Sequence, residues 1–225
     1  KRMRLIWTGD DAYKFVFVNH QGMKEIEFEA EQLIQQLDSG TTVLVDESEI
    51  SFVDKSLFNT VQTVYEQMAF RATHDPLTEL MERHEFEKFI KRALAKTHKR
   101  QISHALCHID IIQFSIINNN YGHHIGDELL RAIALLLIDL LEDDHVLARV
   151  GGNEYGILIN LGNESDALHL TEKIRNALNT HNFMIEDESI TINASVGLEM
   201  ITKESQNIST ILKHADLACM AAKQG

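Results

Sequence analysis

The chain has 225 residues, of which 44% are hydrophobic and 24% charged, and its formal net charge is −13. This composition is typical of globular proteins and excludes a disordered or collagen-like chain, while the acidic balance argues against a sequence-independent nucleic-acid binder. The longest apolar run, 132–141, is about half as long as a membrane span. Two cysteines form neither a disulfide framework nor a zinc spacing. We therefore expect a cytoplasmic protein with no nucleic-acid partner and no membrane segment in this stretch.

The first 50 residues predict a small β-rich module. Apolar, β-branched and aromatic residues alternate with polar ones in short runs separated by turn residues, the pattern of strands. The expected strands are 3–7, 13–18, 24–29 and 42–45, with one helix at 30–38. A module of about 50 residues buries too little surface to be very stable alone.

Residues 51–74 predict a connecting helix. An apolar stripe recurs at spacings of three and four residues through Phe58, Val61, Tyr65, Met68 and Ala72. Such spacing is typical of a coiled-coil seam, and equally of the buried face of an ordinary helix. Both interpretations remain open at this point.

Residues 75–225 predict an α+β domain with helices packed on an antiparallel sheet. Asp75 followed by Pro76 has the pattern of a helix N-cap, and Asp127 is expected to cap another helix after a polar loop at 118–126. The expected elements are a helix after residue 76, strand 104–111, helix 127–141, a hairpin of 146–150 and 155–160, helix 165–180, a long strand or bent pair at 190–201, and helix 208–223.

Two acidic residues and one polar pair are the candidates for chemistry. Asp110 lies near a strand end and Glu154 in the hairpin; one or two carboxylates are what Mg²⁺ usually takes from a protein, phosphates and water completing its shell. Asn118 and Asp127 bracket a loop that leads into a helix N-terminus, where phosphates are favoured and a guanine edge could be read. Caps and hairpin carboxylates are also common as purely structural residues.

Four motifs in order carry a resemblance to a known family. Asp75-Pro76-Leu77-Thr78, with Arg83 and Phe86, is similar to D-x-L-T-G-L-x-N-R-x-x-F, and residues 110–127 are similar to D-I-D-x-F-K-x-I-N-D-x-x-G-H-x-x-G-D. Residues 149–155 stand where the family has R-Y-G-G-D-E-F, and 216–223 resemble D-x-A-x-Y-x-A-K. Residues 75–223 thus resemble the GGDEF family of bacterial diguanylate cyclases.

The resemblance implies a fold like those of nucleotidyl cyclases and polymerase palm domains. It implies condensation of two GTP into cyclic di-GMP, through Mg²⁺-assisted attack of one 3′-hydroxyl on the α-phosphate of the other, with two subunits face to face. The implied roles are metal binding by Asp110, by the carbonyl of Ile111 and at the position of Asn153; catalysis by Glu154; guanine contacts by Asn118 and Asp127; a phosphate contact by Lys223; and close backbone approach at Gly151 and Gly152.

The sequence departs from the family pattern where charge matters. Asn153 stands where an acidic metal ligand is usual, and Ser115 where a phosphate-contacting lysine is usual. Smaller departures are Glu79, Glu82, Ile112 and Asn119. Glu142 and His145 replace the R-x-x-D of the family's inhibitory product site. A degenerate domain that binds GTP and turns it over poorly is therefore expected; the alternative is a weak but active diguanylate cyclase.

The surroundings of the domain are expected from the same resemblance. The N-terminal module is faintly similar to PilZ-like modules, but it lacks their R-x-x-x-R and D-x-S-x-x-G ligand motifs, which favours a packing and dimerisation role. A homodimer is expected through helix 52–73 or this module. The last family motif ends two residues before Gly225, and we expect a longer parent protein with a downstream EAL phosphodiesterase domain that this domain regulates.

Overall fold

The computed structural model describes residues 3–9, 13–19, 22–43, 52–100, 103–160 and 164–223. Within helix 52–71, the side chains of 52–55 and 57–58 lie outside that description, as does the side chain of residue 100. The chain divides into two compact units, residues 1–72 and residues 73–225.

The first unit contains a three-stranded antiparallel sheet in the order β1-β2-β3 and two helices. Its elements are β1 (Arg4–Thr8), β2 (Lys14–Val18), β3 (Lys24–Glu29), α1 (Ala30–Asp38) and α2 (Phe52–Arg71). Ile6, Val16 and Val18 form its small buried core. The first three predicted strands and both helices are confirmed. The strand expected at 42–45 is not: Thr42 and Val43 are irregular, and Leu44 and Val45 lie outside the described residues.

The apolar stripe of α2 is divided between two environments. Tyr65 packs against Trp7 with 6.1 Å between ring centroids, and a Cβ on Gly22 would lie only 2.9 Å from Val61 Cγ2. Met68 is 66% exposed. Val61 and Tyr65, both partly buried, therefore behave as the packed face of an ordinary helix, while Met68 faces solvent; the side chain of Phe58 is outside the described residues.

The second unit is built on a five-stranded sheet in the order β10-β5-β7-β6-β4, flanked by helices. All its strand pairs are antiparallel except β4 with β6, and the predicted α+β class is confirmed. The elements are β4 (Met81–Glu82), α3 (Arg83–Arg100), β5 (His104–Ile112), α4 (Phe114–Tyr121), α5 (His123–Leu140), β6 (Val146–Arg149), β7 (Glu154–Asn160), α6 (Glu164–Thr180), β8 (Phe183–Ile185), β9 (Glu188–Ile190), β10 (Asn193–Ile201) and α7 (Ile208–Ala222).

Each face of this sheet carries its own apolar core. Alternate residues of a strand point to opposite faces. Cys107, Ile109 and Ile111 of β5 belong to the cluster that includes α5 and α6, whereas Leu106 belongs to the cluster formed with α3 and α7. By this alternation Asp110 points to the α3–α7 side. Strand β5 is thus packed against apolar residues on both of its faces.

Two predictions about helix starts are wrong. Residues 118–126 are not a loop. Helix α4 covers 114–121 and α5 begins at His123; between them Gly122, with a φ of 88°, interrupts the helical backbone. Gly122, not Asp127, is the N-cap. The polar run is helical because Phe114 and Ile117 pack against the core.

Asp75 likewise does not cap a helix. It accepts hydrogen bonds from the backbone N–H groups of Leu77 and Thr78 at 3.2 and 2.9 Å, which closes a turn, and the helix α3 starts only at Arg83. The segment 190–201 also divides: Glu188–Ile190 pairs with β8 as a separate hairpin before β10 begins at Asn193.

β10 is an edge strand of the five-stranded sheet. Near its start, the backbone N–H of Ala194 donates a 2.7 Å hydrogen bond to Oδ1 of Asn179 in α6. No helix in the described ranges combines the length and the apolar character that crossing a bilayer requires.

Candidate functional site

Asp110 lies at the centre of the candidate site because strands on both sides pair with it. In the register of the sheet it stands opposite Glu154 of β7 and opposite Ser195 of β10. Directly paired residues of neighbouring strands point to the same face. The sheet therefore brings together the two carboxylates that the sequence selected, although they are 44 positions apart in the chain.

The tight connection between β6 and β7 shapes the space beside Glu154. A Cβ added to Gly151 would lie 2.3 Å from Oε2 of Glu154, so the Glu154 carboxylate occupies space that only a glycine leaves open. Gly152 has nothing within 4 Å of such a Cβ. Gly151 therefore leaves room for the Glu154 carboxylate, whereas a side chain at Gly152 would extend into open space.

Asn153 points its side-chain nitrogen at two oxygens. Its Nδ2 donates to Oδ1 of Asp110 at 3.2 Å and to the backbone carbonyl of Ile111 at 2.8 Å. Both partners only accept hydrogen bonds, so the NH₂ end of the amide must face them. The backbone N–H of Ile111 returns a 3.1 Å bond to the carbonyl of Asn153, which fastens the turn to β5.

Lys223, at the C-cap of α7, neutralises the other oxygen of Asp110. Its Nζ lies 2.5 Å from Oδ2 of Asp110, and the Lys223 side chain remains 35% exposed. The hydrogen bond that Lys223 donates to Asp110 raises the pKa of Lys223 above its ordinary value of 10.5, against a smaller opposing effect of desolvation. Both carboxylate oxygens of Asp110 are therefore engaged by donors of the protein itself.

The residues implied as metal ligands do not, as arranged, fit a divalent cation. Mg²⁺ takes oxygen ligands at about 2.0–2.1 Å in near-octahedral geometry. Here a hydrogen-bond donor, Nδ2 of Asn153, faces the oxygens of Asp110 and Ile111. Within the part of the chain that the structure covers, no group of three or more His, Cys, Asp or Glu side chains is placed to hold a metal ion.

Asn118 and Asp127 lie on α4 and α5, on either side of the break at Gly122. Oδ1 of Asn118 is buried and has no hydrogen-bond partner among the described residues. A Cβ on Gly126 would lie 1.9 Å from that oxygen, so the Asn118 amide packs against the backbone of Gly126. The next residue, Asp127, is exposed. The two residues implied as guanine contacts, Asn118 and Asp127, therefore lie near each other at the junction of α4 and α5.

Arg149 is a site-forming residue to which the sequence argument gave no role. Its Nη1 donates to Oδ1 of Asp75 at 2.8 Å and its Nη2 donates to the carbonyl of Gly152 at 2.7 Å. Burial raises the pKa of Asp75, but hydrogen bonds from Arg149 and Thr78 outweigh it and hold the pKa below its ordinary 3.8. Both residues lie in the family motifs, and one acid and one base in those motifs is the sequence signal that an ion pair between them would leave.

Ser115, Glu142 and His145, three other departures from the family pattern, lie in described parts of the chain. Ser115 is exposed in the first turn of α4. Glu142 and His145 lie in the turn between α5 and β6, with the His145 N–H bonded to the Glu142 carbonyl at 3.1 Å. Neither offers a guanidinium group for an anion.

Comparison with known proteins agrees with the fold. The family described as "Diguanylate cyclase, GGDEF domain" matches residues 72–225. The chain is 35% identical over 159 residues to the probable diguanylate cyclase DgcE of Escherichia coli, covering 71% of this chain and 14% of that protein. It is 29% identical over 160 residues to the cyclic di-GMP phosphodiesterase PdeR of Escherichia coli, covering 71% of this chain and 24% of that one.

A solved structure supports the same assignment. The GGDEF domain of TpbB (YfiN) from Pseudomonas aeruginosa superposes with a TM-score of 0.64 at 29% identity, covering 67% of this chain and 88% of the other. The chain spans less than a quarter of the two Escherichia coli relatives. The family match covers more than half of the present chain, and the chain belongs to the GGDEF family of diguanylate cyclase domains.

Proposed function

We propose that this is a degenerate GGDEF domain that acts in cyclic di-GMP signalling as a regulatory, GTP-binding module. The observation that carries the proposal is the position of Asn153. Its amide nitrogen bridges Asp110 and Ile111, while Asn118 and Asp127 retain their place beside each other. The residues implied as guanine contacts are both present and near each other, and the residues implied as metal ligands are bonded to a side-chain N–H donor, which supports GTP binding without efficient turnover.

Guanine recognition is supported by the chemistry of Asn118. A guanine ring presents N–H donors on one edge, and an amide oxygen or a carboxylate can accept from them. The buried Oδ1 of Asn118 makes no hydrogen bond with any described residue. In the structure this oxygen is covered by Gly126, so a guanine N–H would bond it after the Asn118 amide turns toward the ligand.

Weak or absent turnover follows from the lost charges. Phosphoryl transfer depends on groups preorganised around developing negative charge, and removing one such group costs about 10²–10³ in rate. Here an anionic metal ligand is replaced by Asn153 and a phosphate-contacting cation by Ser115. The two losses together are large enough to leave binding as the domain's main activity.

The larger context is part of the proposal. We propose a cytoplasmic protein longer than this chain, in which the domain regulates a downstream EAL phosphodiesterase domain. The match to a protein named a cyclic di-GMP phosphodiesterase supports this context.

A homodimer through α2 or the N-terminal module is also proposed, because Met68 and Val64 of α2 are exposed. The test is to measure the molar mass of the wild type and of Met68→Glu by light scattering.

To test the function, the protein is incubated with GTP and Mg²⁺ or Mn²⁺, and cyclic di-GMP is assayed by chromatography. GTP binding is measured separately by calorimetry. The expected result is GTP binding without product, with binding lost in Asn118→Ala and kept in the matched variant Asn119→Ala, an exposed neighbour on α4. Product that disappears in Glu154→Ala would overturn the proposal in favour of a weak diguanylate cyclase. Absence of saturable GTP binding would reduce the domain to a scaffold.

A further inference from the structure

We propose that the Asn153 carboxamide and the Lys223 ammonium take the place of the divalent cation, so that this site binds guanine nucleotides without metal. The part of this inference that concerns nucleotides rests on the proposed function. The part that concerns the closed metal position rests on three contacts, Asn153 to Asp110, Asn153 to Ile111 and Lys223 to Asp110.

The amide nitrogen stands where a cation would need to be. An amide NH₂ has two hydrogens, and those of Asn153 are directed at Oδ1 of Asp110 and at the carbonyl of Ile111. A cation coordinated by these two oxygens would contact Nδ2, which donates and cannot coordinate. Rotating the amide by half a turn would place its own oxygen against two acceptors, so Asp110 and Ile111 themselves hold the nitrogen inward.

The charge balance at the site points the same way. Asp110 and Glu154 are opposed by Lys223, which leaves one net negative charge on these three side chains. An aspartate at position 153 would leave two, and would face Asp110 with a like charge. Closely spaced like charges are stable only with a neutralising partner, such as a metal ion. Asn153 removes the need for a dication because it supplies two N–H groups and no charge.

This arrangement determines what part of a nucleotide can be read. Lys223 is engaged by Asp110 and Arg149 by Asp75, and Ser115 carries no charge. Binding strength then comes from the guanine contacts at Asn118 and Asp127. Affinity for a guanine nucleotide is accordingly expected to be nearly independent of divalent cations.

The first experiment titrates Mn²⁺ alone against the full chain and follows free Mn²⁺ by electron paramagnetic resonance. The wild type is expected to show no saturable binding that depends on Asp110. Asn153→Asp is expected to gain at least about tenfold in Mn²⁺ affinity, the scale on which one group alters a metal site. Asn176→Asp, an exposed change of equal charge on α6, controls for non-specific attraction and should gain nothing.

The outcomes are separable. Mn²⁺ binding by the wild type that disappears in Asp110→Asn would overturn the closed metal position, as would an Asn153→Asp variant that folds by circular dichroism and gains no affinity. If Asn153→Asp does not fold, Asn153→Ala is measured instead; it removes the amide without adding charge and should bind Mn²⁺ measurably more tightly than the wild type does.

The second experiment measures GTP affinity by calorimetry with Mg²⁺ and with a chelator. The wild type should differ by less than about threefold between the two conditions, whereas Asn153→Asp should bind more tightly with Mg²⁺. GTP binding by the wild type that requires Mg²⁺ would overturn the inference and leave the proposed function standing. Absence of GTP binding in both conditions would overturn the proposed function, while the Mn²⁺ titration still judges the metal position.

Discussion

Arg149 joins the end of β6 to Asp75, with 2.8 Å between Nη1 and Oδ1. The same guanidinium group holds the carbonyl of Gly152 at 2.7 Å through Nη2. The Arg149 side chain therefore connects the turn between β6 and β7 to the turn that precedes β4. Only 13% of the Arg149 side chain and 20% of the Asp75 side chain are exposed, so neither charge is well solvated without the other.

Arg149→Ala is expected to destabilise the domain by about 3 kcal/mol, because it leaves a mostly buried carboxylate without its partner. The measurement is urea denaturation followed by far-UV circular dichroism. Arg83→Ala is the matched control: Arg83 pairs with Glu87 at 3.1 Å but is 64% exposed, and such pairs contribute at most about 1 kcal/mol. Equal losses in the two variants would contradict the structural role of Arg149.

The contribution of Asp75 to stability is expected to depend on pH. Its pKa is lower in the folded protein than the ordinary value of 3.8, so folding favours the ionised form. That stabilisation is complete above the ordinary pKa and is lost as the pH falls through the lower folded pKa. The difference in unfolding free energy between wild type and Asp75→Asn should therefore be constant near neutral pH and shrink below about pH 4.

The same titration of Asp187→Asn provides the comparison for Asp75. Asp187 is an exposed carboxylate in the turn between β8 and β9, where the substitution should change the unfolding free energy by no more than about 0.5 kcal/mol, as is usual at the surface. A difference for Asp75→Asn that stays constant down to the acid transition would show that the Asp75 carboxylate is not favoured by folding.

Gly197→Ala is expected to cost at least about 3 kcal/mol, at or beyond the upper end of overpacking penalties. A Cβ at this position of β10 would lie 2.3 Å from the carbonyl oxygen of Ala215 and from the amide nitrogen of Cys219 in α7. These are backbone atoms, so the helix itself must move. Gly152→Ala, whose Cβ meets nothing within 4 Å, should change the unfolding free energy by less than about 1 kcal/mol. Similar urea midpoints for the two variants would refute the close packing of β10 and α7.

Tyr65→Ala is expected to loosen the first unit by about 1–2 kcal/mol, since it removes the ring that packs on Trp7. Trp7 is the chain's only tryptophan, so its fluorescence reports unfolding of that unit specifically. Met68→Ala removes an exposed side chain from the same helix and should leave the fluorescence midpoint within the range of surface substitutions, about 0.5 kcal/mol. A larger shift in Met68→Ala than in Tyr65→Ala would contradict the assigned packing of α2.

The order of strands and helices in the second unit was predictable because their apolar periodicity is strong. In α3, for example, Phe86, Ile90 and Ala93 recur at helical spacing, and all three are buried. The helix α4 was missed because its sequence, with three consecutive asparagines after Ile117, has low intrinsic helix preference. Packing of Phe114 and Ile117 on the core overrides that preference, and such long-range contacts are invisible in a local pattern.

The site was predictable as a set of residues but not as a set of contacts. Asp110, Asn153 and Lys223 could each be selected by position in a motif. Which end of the Asn153 amide faces Asp110, and which oxygen of Asp110 meets Lys223, depends on atoms that the β-sheet and α7 bring together across 113 positions of chain. The sequence predicts a weakened metal site, and in the structure both carboxylate oxygens of Asp110 accept hydrogen bonds from the protein itself.

The hydrogen bond from Ala194 to Asn179 has a consequence for association between copies of the chain. An edge strand offers unpaired backbone groups to any other strand, and proteins must block that route to aggregation. The backbone N–H of Ala194 already donates a 2.7 Å hydrogen bond to Oδ1 of Asn179. Asn179 lies in α6, which packs along β10. Where β10 begins, a foreign strand would have to displace a side chain already bonded to the backbone, so the edge nearest Asp110 is protected against strand-to-strand aggregation.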